Sequence, residues 1–114
     1  MEDDFRSTIE QVRELIADRK YKECEALICN LMFEHPHGAI PHNLMGLLLE
    51  SENCHVEAMK HFRAAYALDP TYRPSSWNLA CFGGFAMLHP CAYFSSDCDA
   101  PLEKKQRGGK KPCT

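Results

Sequence analysis

Apolar residues recur at steps of three and four along most of the chain, the spacing of one helix face. The first run is Phe5, Ile9, Val12 and Ile16, and it stops at Asp18-Arg19-Lys20. Asp3 and Asp4 precede it, where a helix N-terminus favours acids and caps. The second run is Tyr21, Cys24, Leu27, Ile28, Leu31 and Met32, closed by Pro36 and Gly38. The third carries Ile40, Leu44, Leu47 and Leu48, with Pro41 in a first-turn position where its missing N–H costs nothing. Ser51-Glu52-Asn53 separates it from Val56, Met59, Phe62, Ala65 and Tyr66, which end at Asp69-Pro70. A fifth run, Trp77, Leu79 and Ala80, follows Pro74 with Ser75 or Ser76 as cap and meets Gly83-Gly84. No stretch of five or more residues alternates apolar and polar as a strand does. The pattern predicts an all-α chain of five helices, and short turns make neighbouring helices antiparallel.

The hairpins recur. Leu15 and Leu49, Glu23 and Glu57, and Pro36 and Pro70 each stand 34 residues apart. These are the only identities at that shift between 5–38 and 39–72, so the repeat is one of pattern. A period of 34 belongs to a two-helix repeat unit.

Composition narrows the class. The chain has 114 residues, 45% hydrophobic and 25% charged, which fits one globular domain and excludes full disorder or a collagen-like fibre. No run approaches the roughly 18 apolar residues of a membrane span. The acidic start Met1-Glu2-Asp3-Asp4 lacks the basic and apolar blocks of a secretory signal, so a cytoplasmic protein is expected. The charge is split. Residues 103–114 hold five cations against Glu103, a balance of +4, so the net −3 leaves −7 on residues 1–102.

The residues of 39–72 resemble a tetratricopeptide repeat. Gly46 stands at that family's small position in the first helix, and Ala58, Phe62, Ala65 and Pro70 follow at its spacings. Gly46 and Ala58 let two helix backbones approach, and Phe62 fills the gap beyond them. Residues 5–38 match more weakly, with Tyr21 and Pro36 in place but Cys24 for alanine and Val12 for glycine. Residues 73–84 resemble the start of a third unit through Trp77-Asn78-Leu79-Ala80. The resemblance covers about two thirds of the chain and implies an antiparallel helix-hairpin solenoid over 1–84, with an irregular tail over 85–114.

It also implies a function: binding a peptide or helix of another protein in a concave groove lined by the first helix of each unit. No enzyme and no cofactor are expected. The groove positions fall at Arg6, Ile9, Arg13, Asn43, Leu47, Glu50, Trp77 and Cys81. Some members clamp a C-terminal carboxylate with lysines, asparagines and an arginine; the matching positions here hold Ile9, Leu44 and Pro74, which argues against that clamp. Trp77 reads better as a core residue covering the open end of the second hairpin than as a groove anchor. That end needs a cover. The tail folding back, through Phe82, Phe85, Met87, Leu88, Tyr93 and Phe94, is favoured over a homodimer through the last helix.

The alternative reading is metallic. Seven cysteines and six histidines contain no Cys-x-x-Cys pair, and the only plausible zinc set is His89, Cys91, Cys98 and Cys113 in the tail. Its gaps match no common zinc pattern. Cys24 reads as a small packing residue, and Cys29 and Cys54 as reduced thiols. The basic end has no interleaved aromatics for base stacking, so a solvated end is favoured over a nucleic-acid contact.

Overall fold

The computed structural model describes residues 2–83 and 91–99. Five helices follow in order: α1 (Arg6–Ala17), α2 (Tyr21–Glu34), α3 (Ala39–Ser51), α4 (His55–Leu68) and α5 (Arg73–Gly83). A short 3-10 turn over Glu2–Phe5 leads into α1, and a second one spans Ser95–Asp99. The expected acidic cap of α1 is therefore taken up by that turn, and Phe5 stands at the N-cap without a side-chain cap bond. α5 starts at Arg73, ahead of the expected serine cap; Pro74 lies in its first turn, and Ser75 and Ser76 donate back to the Tyr72 and Arg73 carbonyls. There are no strands among the described residues.

The 34-residue period is present in the backbone. α2 and α4 have 14 residues each and begin at 21 and 55, 34 positions apart. α3 and α5 begin at 39 and 73, again 34 apart. α1 and α3 end the same way, with Arg19 and Asn53 in the left-handed region at φ 62 and 66. Lys20 N–H donates to Leu15 O and Arg19 N–H to Ile16 O; at the equivalent places Cys54 N–H donates to Leu49 O and Asn53 N–H to Glu50 O. This is the Schellman closure, which satisfies the last carbonyls and turns the chain back along the helix.

Each helix packs on its chain neighbour, and α1 also touches α3, as α3 touches α5. The core holds Ile9, Val12 and Ile16 of α1, Cys24, Ile28 and Leu31 of α2, Leu44, Leu47 and Leu48 of α3, and Ala58, Phe62 and Ala65 of α4. The α3–α4 contact is the closest to an ideal fit. A Cβ on Gly46 would lie 2.5 Å from Phe62 Cε1, so the Phe62 ring fills the place of a side chain there. Phe62 in turn stacks parallel on Phe82 of α5, with centroids 5.7 Å apart.

Candidate functional site

α1, α3 and α5 place their polar side chains around a piece of the chain itself, the non-helical run Cys91–Phe94 and the turn Ser95–Asp99. Arg6 and Arg13 are seven residues apart, two helical turns, and so share a face of α1. Arg13 lies over the Tyr93 ring at 4.9 Å and the Phe94 ring at 5.5 Å, and Arg6 lies over Phe94 at 4.9 Å. A guanidinium over an aromatic face is attracted by the ring quadrupole. Arg13 Nη2 also donates to Asp97 Oδ2 at 3.2 Å. That same oxygen accepts the N–H groups of Tyr93 and Phe94 at 2.9 and 3.0 Å, a reach-back that closes the start of the turn as a capping box does.

The centre of the site is an amide cluster. Asn78 of α5 is fully buried, and its Nδ2 donates to Ala92 O at 2.9 Å while its Oδ1 accepts Ala92 N–H at 2.8 Å. One side-chain amide therefore pairs with the backbone of one residue in both directions. Asn78 Nδ2 also donates to Asn43 Oδ1 at 2.8 Å, and buried Asn43 Nδ2 donates to Ala92 O at 3.3 Å. The ends of the segment are held too. Glu2 Oε2 accepts the Ser95 N–H at 2.8 Å and its hydroxyl at 3.2 Å, and Arg73 Nη2 donates to Cys98 O at 3.3 Å. Ala92 is fully buried, and Cys91, Tyr93, Phe94 and Cys98 are nearly so.

Burial raises the Tyr93 phenol, against a smaller lowering by Arg13; Cys24 and Asp97 add to the rise. Burial also raises Tyr72, helped by Glu2, Cys98 and Asp97, and the Tyr72 hydroxyl has no hydrogen-bond partner among the described residues. Both phenols stay neutral at physiological pH. Buried Cys24 is pushed up to about 12, first by desolvation and then by Glu52, which makes it an inert packing thiol.

Of the residues expected to line a groove, Arg6, Arg13 and Asn43 contact the 91–99 segment. Ile9 and Leu47 are fully buried, in one cluster with Tyr93 and Phe94, and Cys81 is nearly so. Glu50 is half-buried and pairs with His55 Nδ1. Trp77 is half-buried, so it is neither a full core residue nor an open anchor. Of the zinc set, His89 and Cys113 lie outside the described residues; Cys91 is buried and disulfide-bonded, and Cys98 is buried. Among the described residues no group of three or more His, Cys, Asp or Glu side chains is placed to hold a metal. Of the residues expected to cover the last helix, Tyr93 and Phe94 lie against Arg13 and Arg6 of α1, Phe82 stacks on Phe62, and Phe85, Met87 and Leu88 lie outside the described residues.

Sequence reasoning missed Glu2, Asn78, Arg73 and Asp97. Asn78 shares its face of α5 with Pro74, Ser75 and Cys81, all buried, a mixed face that gives no apolar period to stand out against. Segment 91–94 did carry a signal, since Tyr93 and Phe94 were among the tail's apolar residues expected to pack. No helix among the described residues is long and apolar enough to cross a membrane. Compared with protein-family models, curated proteins and solved structures, the chain matches none.

Proposed function

We infer that the chain is a protein-interaction module of the tetratricopeptide kind, about two and a half helix hairpins whose first helices bind a peptide of a partner protein. Three features support the architecture: the 34-residue recurrence of helix starts and Schellman closures, the Gly46–Phe62 fit, and the α1–α3–α5 adjacency. The function rests on one observation. Side chains of α1, α3 and α5 hold a non-helical peptide segment by its backbone and by its side chains, through Asn43, Asn78, Arg6 and Arg13. A face that does this for nine residues of its own chain has the donors, acceptors and cations for a peptide from elsewhere, and would serve as an adaptor or scaffold.

The test is selection of a random peptide library on the immobilised Asp97→Ala chain, in which the segment that fills this face is held by fewer bonds. Enriched peptides are expected to lose binding to Arg6→Ala and Arg13→Ala, whose side chains are half exposed and whose removal leaves the core intact. Arg63→Ala, on the exposed side of α4, is expected to bind them unchanged. Failure to enrich any peptide, or enrichment of peptides indifferent to both α1 arginines, would defeat the reading.

A further inference from the structure

Segment 91–99 and the face that holds it divide recognition into two kinds of contact. The backbone of Ala92 is read by Asn78 and Asn43, and no side chain is involved on the segment's side. The side chains of Tyr93, Phe94 and Asp97 are read by Arg6 and Arg13. The first kind holds any peptide with a residue small enough to let its backbone reach two buried amides. The second kind discriminates: it asks for two adjacent aromatic rings and a carboxylate three residues after the second.

We propose that the partner of this site is a non-helical peptide with a small residue, two aromatic residues and, three positions on, an acid. The chain's own Ala92-Tyr93-Phe94-x-x-Asp97 is a resident copy of that ligand that closes the site until it is displaced. The proposal rests on the peptide-binding reading above and adds the ligand's chemistry and the means of control. Charge complementarity agrees with it. Arg13 keeps its side chain about half exposed while its guanidinium covers the rings and pairs with Asp97, the place an incoming acid would take; Arg6, also half exposed, covers Phe94 and pairs with Asp3 at 3.6 Å.

A covalently attached segment competes at an effective concentration of about millimolar. A free peptide making the same contacts at micromolar concentration is therefore excluded from the intact chain, and weakening the resident copy uncovers the site. Asp97→Ala does that with the smallest change, because it removes the Arg13–Asp97 bond and the acceptor of two segment N–H groups while leaving α1, α3 and α5 as they are.

The probe is a fluorescein-labelled peptide of residues 91–99 with both cysteines replaced by serine, read by fluorescence anisotropy against the full chain. Asp97→Ala is expected to bind it at least 10-fold more tightly than the wild type, a scrambled peptide is expected not to bind, and adding Arg13→Ala is expected to remove the gain. A folded Asp97→Ala chain that binds the probe no better than the wild type overturns the proposal. So does one that doubles its mass and excludes the probe, since a second copy then fills the site.

A second measurement needs no variant. Millimolar probe added to the wild type is expected to speed hydrogen exchange at the Ala92, Tyr93, Phe94 and Ser95 amides at least 10-fold; binding with those amides unchanged overturns the resident-ligand claim. Peptide-library selection on Asp97→Ala separates the two levels. Enriched peptides of another pattern that still need Arg13 leave the peptide-binding reading standing and sink this one, whereas no binder at all sinks both.

Discussion

Replacing Asn78 by alanine tests whether the amide cluster is what fastens residues 91–99 to the helices. The substitution removes three hydrogen bonds, of 2.8, 2.9 and 2.8 Å. Ala92 O keeps its bond from Asn43 Nδ2 at 3.3 Å, but the Ala92 N–H and Asn43 Oδ1 lose theirs. A buried polar group left without a partner costs about 1–3 kcal/mol, so two of them cost about 2–6 kcal/mol while the segment stays docked. The chain has a cheaper state available. If the segment lifts away, water reaches both groups, and the loss is limited to the segment's own docking free energy. Local opening should thus become easier by at least about 2 kcal/mol, which is about 30-fold in the opening equilibrium. Native-state hydrogen exchange by NMR reads this directly. The Ala92 amide is expected to exchange about 30-fold faster or more, while Leu47 and Leu48 in the α3–α4 core change by about threefold or less, as expected of separate cooperative units. Unchanged exchange at Ala92 would refute the energetic role of Asn78. Equal acceleration at Ala92, Leu47 and Leu48 would refute the idea that the segment opens by itself.

Three other outcomes follow from the same geometry. Gly46→Ala drives a methyl into the Phe62 ring at 2.5 Å, an overpacking cost of about 1–3 kcal/mol; at about 4–8 °C per kcal/mol calorimetry should show a clear fall in Tm, and an unchanged Tm would contradict the close α3–α4 fit. His42 and His61 stack with their Nδ1 atoms 3.1 Å apart, and burial lowers both, His61 further through the neighbouring His42. Because the folded state takes up these protons less readily than the unfolded chain, their contribution is complete above the ordinary imidazole value of 6.5 and is lost as pH falls below it. Urea midpoints at pH 7.5 and 5.5 should therefore differ less in His61→Gln than in the wild type, and equal differences would mean the pair does not titrate this way. Protein purified without a histidine tag should contain well under one zinc per chain by elemental analysis; one zinc, lost in Cys98→Ser, would favour the tail zinc site over the peptide-binding module.

The helices were legible because their signals are local and redundant. The apolar steps of three and four place α1 to α4 within a residue or two of their observed limits, and Gly46 with Phe62 names the closest packing contact before any coordinates. The left-handed closures at Arg19 and Asn53 were not legible, because they use backbone carbonyls and neither position carries the glycine that marks such a turn. Half of the surface that holds 91–99 was legible, by resemblance rather than by period. Arg6, Arg13 and Asn43 stand where the tetratricopeptide resemblance puts groove residues, although Ile9 and Leu47, named in the same way, are fully buried. The other half was not, because it depends on contacts across 14 to 93 residues of chain that leave no periodic trace. Asn78 next to Trp77 is one polar letter in a helix, and its meaning comes only from Ala92, 14 residues on, arriving with its backbone exposed. Glu2 acquires a role only because Ser95 comes to rest beside it. The tail illustrates the limit: Ala92-Tyr93-Phe94 has too few residues for any period, so pattern reading leaves it irregular. Its contacts run to two side-chain amides and two arginines on the helices, to Glu2, and to Asp97 within the segment itself. Under the peptide-binding reading this bears on function, since a segment held mainly by side chains of the helices is one that another peptide making the same contacts can replace.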